Sequence, residues 1–93
     1  MYSIAVQIVR LSLRSDMKLV KIEWLDANAA DGWVSRARAR THPLAKCSTV
    51  GYVIKRNYRQ ITVAQSISTD KGDTCDAIIS IPTSCIQSIK ELE

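Results

Sequence analysis

The stretch CSTVGYVIKRNYRQITVAQSI, residues 47–67, decides the fold class, because two apolar segments flank a short polar turn. Its two ends, residues 47–55 and 60–67, have the period-two patterning of strands that bury one face. The four residues between them predict a hairpin turn, with Asn57 suited to a positive φ. Glycine inside a strand usually marks a bulge or a tight bend, so Gly51 predicts a bend. The stretch therefore predicts an antiparallel β-hairpin.

Further strands are predicted on both sides of this hairpin. Residues 18–25 alternate apolar side chains with Lys and Glu, residues 33–41 carry three alternating arginines, and residues 77–82 form a short strand that ends at a proline. For residues 84–92 two forms stay open, a helical turn or a single 3₁₀ turn at 82–85 followed by a short strand. Five to six short strands in a chain of this size predict an all-β fold, a small antiparallel β-barrel, whose closure removes exposed edges.

An N-terminal extension precedes this predicted barrel. Residues 1–16 have alternating aliphatic side chains whose phase shifts in the middle, which predicts an added strand with a bulge, with an amphipathic helix as the alternative. We therefore divide the chain into an extension, residues 1–16, and a single small barrel domain, residues 17–93. The predicted barrel has a small core and no disulfide or metal site to stabilise it. We therefore expect a homo-oligomer in which residues 4–13 pair with a neighbour or with the barrel edge.

Composition restricts the class of protein. The chain has 93 residues, of which 46% are hydrophobic and 24% are charged, as in one globular domain. Three cysteines without a C-x-x-C pair make a disulfide framework a poor explanation and favour a reducing, cytoplasmic location. No apolar run approaches the roughly 20 residues that span a bilayer, so no membrane partner is expected.

Catalytic chemistry is poorly supported by the residues. His42 is the only histidine, and it precedes a proline in a predicted loop. No nucleophile elbow, zinc-protease motif or paired-carboxylate pattern is present, and the three glycines are too far apart for a phosphate-binding loop. The cysteine spacings fit no common zinc pattern. We therefore expect a protein that is not an enzyme and has no cofactor or metal.

Charge is distributed very unevenly along the chain. Residues 32–69 contain seven Lys and Arg and no Asp or Glu, so this segment carries a formal charge of +7 in a chain of net charge +4. Such segregation concentrates anions near one surface. On the predicted strand the three arginines share one face, and guanidinium groups match phosphate oxygens two at a time. The predicted ligand-binding residues are Trp33, Arg36, Arg38, Arg40, Lys55, Arg56, Tyr58 and Arg59.

One further pattern covers most of residues 20–92, and its positions are Trp24, Asp26, Ala27, Trp33, Cys47, Gly51, Tyr52, Ser66, Ile81, Pro82 and Ile89. At these positions the sequence resembles a group of small bacteriophage proteins of unknown function. The order of predicted strands also looks like an SH3-like or Sm-like barrel, with the Ile81-Pro82 turn before the last strand. The resemblance implies a phage accessory protein in the host cytoplasm and implies no reaction.

Three functions are consistent with these observations. The first is an oligomeric protein that sequesters a small phosphate-containing ligand, such as a nucleotide signal, in counter-defence. The second is an RNA- or DNA-binding small β-barrel. The third is an inhibitor that binds a host protein directly. A small-ligand pocket requires converging cations, whereas a nucleic-acid groove requires charge spread along a path with exposed aromatic side chains. Alternating arginines on one strand favour the pocket.

Overall fold

The protein forms one antiparallel sheet in a computed structural model that describes residues 17–70 and 72–92. The sheet has five strands in the order β4-β3-β2-β1-β5, so that β5 returns to lie beside β1. A short helix, α1, lies between β1 and β2, and a 3₁₀ turn joins β4 to β5. The elements are β1 Leu19–Asp26, α1 Arg36–Ala39, β2 Ala45–Arg56, β3 Gln60–Ser68, β4 Thr74–Pro82, the 3₁₀ turn Thr83–Cys85 and β5 Ile86–Glu91.

This arrangement confirms the all-β fold class and most of the predicted strands. The predicted segments 47–55, 60–67 and 77–82 lie in strands, as does 18–25 apart from its first residue. At the C-terminus the 3₁₀ turn followed by a short strand is correct, and the helical turn is wrong. Among the described residues β4 and β5 are the two edges of the sheet, and no hydrogen-bonded pairing joins them. The sheet is therefore open, and the predicted closed barrel is not formed by strand pairing in this part of the chain.

The predicted arginine strand over residues 33–41 is wrong. Its centre forms α1, and every residue from 26 to 44 is exposed. Ser35 caps the helix, because its hydroxyl accepts a hydrogen bond from the Arg38 amide at 3.2 Å. Arginine and alanine both have high helix propensity, and no strand of the described residues pairs with this segment. The alternation of Arg and Ala in this segment therefore does not indicate a strand with one buried face.

The core lies on one face of the sheet. Val20, Ile22, Ile61, Val63 and Ile81 form a buried cluster, and alternate residues of the paired strands point toward it. The partly buried side chains that pack around the cluster are Trp24, Val53, Ile79, Cys85, Ile86 and Ile89.

The sheet curls around this core. β1 and β4 are three strand spacings apart in the sheet, which is roughly 14 Å in a flat sheet. Nevertheless the 3₁₀ turn at the end of β4 contacts β1, and Ile22 packs in one cluster with Ile81. A flat sheet would not bring these groups together, so the β4 end of the sheet bends toward β1.

The N-terminal extension, residues 1–16, lies outside the described residues, as does its predicted strand or helix. Within residues 17–70 and 72–92, the structure contains no helix of the length and apolar character needed to cross a membrane.

Candidate functional site

The connection between β1 and β2, which we call the arginine loop (residues 27–44), is tied at its base by two hydrogen bonds. The side-chain amide of Asn28 donates to the Pro43 carbonyl at 3.0 Å. The Nε2 atom of His42 lies 2.9 Å from the Asn28 carbonyl, and because a carbonyl oxygen only accepts, Nε2 carries the donated proton. His42 therefore holds the loop closed, which is a structural role.

Helical geometry divides the three arginines of this loop between two sides. Arg40 follows Arg36 by one helical turn, and its amide donates to the Arg36 carbonyl at 3.0 Å, so these two side chains start from one side of α1. Arg38 starts from another side and lines an open hollow of about 600 Å³ with Asp31, Val34 and His42 among its other walls. The predicted row of three guanidinium groups on one strand face is therefore wrong.

Trp33 lies just before α1, and its side chain is completely exposed, at 103% of the reference accessibility. Val34 beside it is 54% exposed. Water-exposed indole surface is unfavourable when it has no packing partner, and both ring faces of Trp33 are open to a ligand. The arginine loop thus combines an exposed aromatic ring with three cations.

The second part of the predicted site is the turn between β2 and β3, which we call the basic hairpin (residues 55–59). Its turn is built by Asn57, whose side-chain oxygen accepts hydrogen bonds from the amides of Arg59 at 2.8 Å and Gln60 at 3.0 Å. Asn57 does not have the positive φ that we predicted, since the non-glycine residues with positive φ in the described chain are Asp73 and Ala77. The asparagine is used for its side-chain acceptor rather than for its backbone freedom.

Replacing Asn57 with alanine is expected to lower the free energy of unfolding by about 1 kcal/mol, because two amide donors lose their acceptor. Urea denaturation followed by circular dichroism measures this loss. The control is Asn57→Asp, which keeps an acceptor oxygen at the same place and should cost much less. Equal losses in the two variants would contradict the role assigned to the side-chain oxygen.

Tyr58 projects from the tip of this hairpin and is 81% exposed. Arg59 lies over it, with the guanidinium carbon 5.5 Å from the ring centroid, and its Nε donates to the Tyr58 hydroxyl at 3.1 Å. One face of the ring is therefore used in a cation–π contact, and the other is free for stacking. The hairpin repeats the combination of an exposed aromatic ring and cations.

The structure places these two groups at opposite ends of β2. The strand has twelve residues, from Ala45 beside the arginine loop to Arg56 in the hairpin. At about 3.3 Å per residue the strand is about 36 Å long, and a right-angle bend at Gly51 would still separate its ends by about 26 Å. No hydrogen bond or ion pair connects the two groups within the described ranges. Trp33 and the three arginines therefore form one group, and Lys55, Arg56, Tyr58 and Arg59 form another.

Within the described part of the chain, the cations of both groups form no ion pair with a carboxylate. The ion pairs in the described part of the chain are Lys18 with Glu91 at 3.7 Å and Lys21 with Glu23 at 3.3 Å, and both lie outside the basic segment. Hydrogen bonding from Ser48, and then from Lys21, holds the pKa of Glu23 below its usual value. The β1 surface is thus locally neutralised, whereas the arginine loop and the basic hairpin keep their full charge.

Sequence reasoning missed the residues that shape the arginine loop. Ser35 ahead of a run of Arg and Ala is a helix N-cap signal and could have revealed α1. The bonds of Asn28 to Pro43 and of His42 to Asn28 have no local signature, since the paired residues are 15 and 14 positions apart.

Comparison of the chain with protein-family models, with curated proteins and with solved structures gave no match. We therefore infer the function from the geometry and the charge of the site.

Proposed function

We propose that this protein is a non-catalytic binding protein whose ligand is a single strand of RNA or DNA. The observation that carries the proposal is the presence, at both ends of β2, of an exposed aromatic ring beside cations that pair with no carboxylate among residues 17–70 and 72–92. Proteins that bind single strands combine positive charge along the backbone path with aromatic side chains on which bases stack. Trp33 and Tyr58 are the stacking residues of this proposal.

A strand fits the separation of the two groups better than a small nucleotide does. One mononucleotide cannot contact both ends of a strand that is about 36 Å long, whereas single-strand sites on small barrels cover about 4–16 nucleotides. The site lacks the converging cations of a small-ligand pocket, because the arginines lie on two sides of α1. The alternating arginines that favoured a pocket do not lie on a strand, because residues 36–39 form α1. Each group also has an exposed aromatic side chain, Trp33 or Tyr58, as a site for a single strand requires.

The architecture that we propose for this function is an SH3-like or Sm-like barrel. The strand order β4-β3-β2-β1-β5, the 3₁₀ turn before β5 and the curl of the sheet support it. A phage accessory protein acting in the host cytoplasm is the biological setting that the resemblance of the sequence implies, and it belongs to the same proposal.

A second candidate is sequestration of a small phosphate-containing ligand by a homo-oligomer. The open hollow beside Arg38 favours it, because a neighbouring copy could close that hollow and bring further cations to it. In counter-defence such a protein would bind a nucleotide signal without altering it.

Binding is tested by fluorescence anisotropy with labelled oligo-dT and oligo-U at increasing salt. The six cations of the two groups allow a slope of log Kobs against log salt of up to about −4 for a single strand. The triple variant Arg36→Gln, Arg38→Gln, Arg40→Gln is expected to weaken binding and to reduce the slope by about 2. Circular dichroism should show an unchanged fold, because all three side chains are exposed.

A matched control variant distinguishes the effect of where the cations lie from the effect of the protein's net charge on binding. The variant Lys18→Gln, Lys21→Gln, Lys90→Gln also removes three positive charges, lowering the net charge from +4 to +1, but from outside the basic segment. We expect it to bind nearly as well as the parent. Equal weakening in both triple variants would show that net charge alone acts and would refute the site. Tight binding of a cyclic or linear nucleotide with a shallow salt slope, and no binding of strands, would select the second candidate.

A further inference from the structure

The face of the sheet opposite the core carries exposed apolar side chains. Val50 and Tyr52 alternate along β2 with the core-facing Gly51 and Val53. The exposed Ile54 follows them, at the irregularity in strand register between Val53 and Lys55. Their neighbour across the sheet is Ile78, because Tyr52 pairs with Ala64, and Ala64 pairs with Ile78. We call Val50, Tyr52, Ile54 and Ile78 the outer apolar patch.

Three of the four members of this patch are exposed, and Tyr52 is half-buried. Val50 is 43% exposed, Ile54 44% and Ile78 63%. The patch extends over about 13 Å along β2 and about 10 Å across the strands. It lies away from the tips that carry Trp33 and Tyr58, so the proposed nucleic-acid site does not account for it. Covering these clustered apolar side chains would be favourable, because it removes their surface from water.

The chain that precedes the described residues joins the sheet next to this patch. Met17, the first described residue, lines a hollow of about 290 Å³ together with Tyr52, Ile67 and Thr69. The Lys18 carbonyl accepts a hydrogen bond from the Val53 amide at 2.8 Å, which fixes the start of β1 against β2. Met17, to which residues 1–16 are joined, therefore lines one hollow with Tyr52, a member of the patch.

The composition of that segment matches the surface. Residues 4–13 contain six large aliphatic side chains and no acidic residue. Ten residues measure about 15 Å as a helix and about 33 Å as a strand, so either form that the sequence allows is long enough to cover the patch. Only residues 14–16 separate this segment from Met17, and so short a tether gives an effective concentration in the millimolar range.

We propose that residues 4–13 dock on the outer apolar patch of their own molecule. The short tether favours the same molecule over a neighbouring copy, and the contact buries the patch that the described residues leave open. In this arrangement the extension is part of the folded domain rather than a separate arm.

Limited trypsin digestion of the full chain tests the docking with an internal standard. Arg10 and Arg14 lie in or beside the segment, whereas Arg38 and Arg40 lie in the exposed arginine loop of the same molecule. We expect cleavage after Arg10 and Arg14 to be slower than cleavage in the loop. Substituting Ile78→Ser should accelerate cleavage after Arg10 and Arg14 by about tenfold. Such an increase corresponds to a loss of about 1.4 kcal/mol in the docking equilibrium of the segment. Cleavage in the loop should not change.

The matched control is Leu44→Ser, which changes an aliphatic side chain of similar exposure, 58%, outside the patch. It should leave cleavage after Arg10 and Arg14 at the parental rate. Rapid cleavage of the segment in the parent, or no acceleration in Ile78→Ser, would overturn the proposal. Protection that disappears on dilution would place the segment of a neighbouring copy on the patch and would overturn docking within one molecule.

Discussion

Replacing Gly51 with valine is expected to remove about 3 kcal/mol of folding stability, the upper end of the cost of overpacking a core. A Cβ atom at this position would lie 2.9 Å from the Ala64 carbonyl oxygen and 3.1 Å from the Val63 Cβ atom. Both are parts of the neighbouring strand β3, so the added atoms can be accommodated only if β2 and β3 move apart. For a domain of this size the loss corresponds to a decrease in Tm of about 12–24 °C. Thermal denaturation followed by circular dichroism measures it.

The physical reason differs from the one suggested by sequence alone. A glycine within a strand suggests a special bend, yet Gly51 does not have a positive φ; Gly32 and Gly72 do. What β2 requires at Gly51 is space rather than backbone freedom.

Gly32→Ala provides the comparison for Gly51→Val. At Gly32 a Cβ atom would meet nothing within 4 Å, but φ is +94°. That substitution should cost about 1–2 kcal/mol from backbone strain alone. Gly51→Ala should already destabilise the protein, because the colliding atom is Cβ itself. A neutral Gly51→Ala variant would show that β2 and β3 do not approach as closely as described.

Replacing Ile81 with alanine is expected to lower the free energy of unfolding by about 2–5 kcal/mol. Ile81 is completely buried, at 0% exposure, and it belongs to the cluster that includes Ile22 of β1 and Ile61 of β3. Loss of its side chain would leave a cavity where the curled sheet meets itself. Because small domains have a total stability of only about 5–15 kcal/mol, the variant should be close to unfolding. Urea denaturation measures the change in midpoint.

Leu44→Ala serves as the control for this variant. It also removes large aliphatic volume, but from a side chain that is 58% exposed in the arginine loop, and it should change stability by less than about 0.5 kcal/mol. Equal effects of Ile81→Ala and Leu44→Ala would contradict the position of the core.

Most strands were predictable because they bury one face. Along β1 the buried Val20 and Ile22 alternate with more exposed residues, and β3 buries Ile61 and Val63 in the same way. Burial of alternate side chains is a property of the strand itself, and it is therefore visible in local sequence. The turn of Asn57 and the 3₁₀ turn at Thr83–Cys85 were found for a related reason, since both depend on short-range backbone geometry.

The arginine segment was misread because its alternation does not separate buried from exposed residues. All of residues 33–41 are exposed, so no core face selects a strand. Because none of the five described strands pairs with this segment, the cap from Ser35 and the helix propensity of Arg and Ala decide its local structure. The sequence correctly shows a segment rich in cations, but the strand geometry that we predicted for its arginines is wrong.

The sequence by itself determined the all-β class, the order of most strands and the accumulation of seven cations between Asp31 and Asp70. These properties depend on residues that are close together in sequence. They are therefore the same however the strands are arranged in the sheet. Only the tertiary structure decided that β5 returns to β1, that the sheet curls, and that the arginine loop and the basic hairpin lie at opposite ends of β2. These features depend on which strands pair and on where each strand ends. Pairing joins residues that are far apart in sequence, so a local sequence pattern does not reveal it.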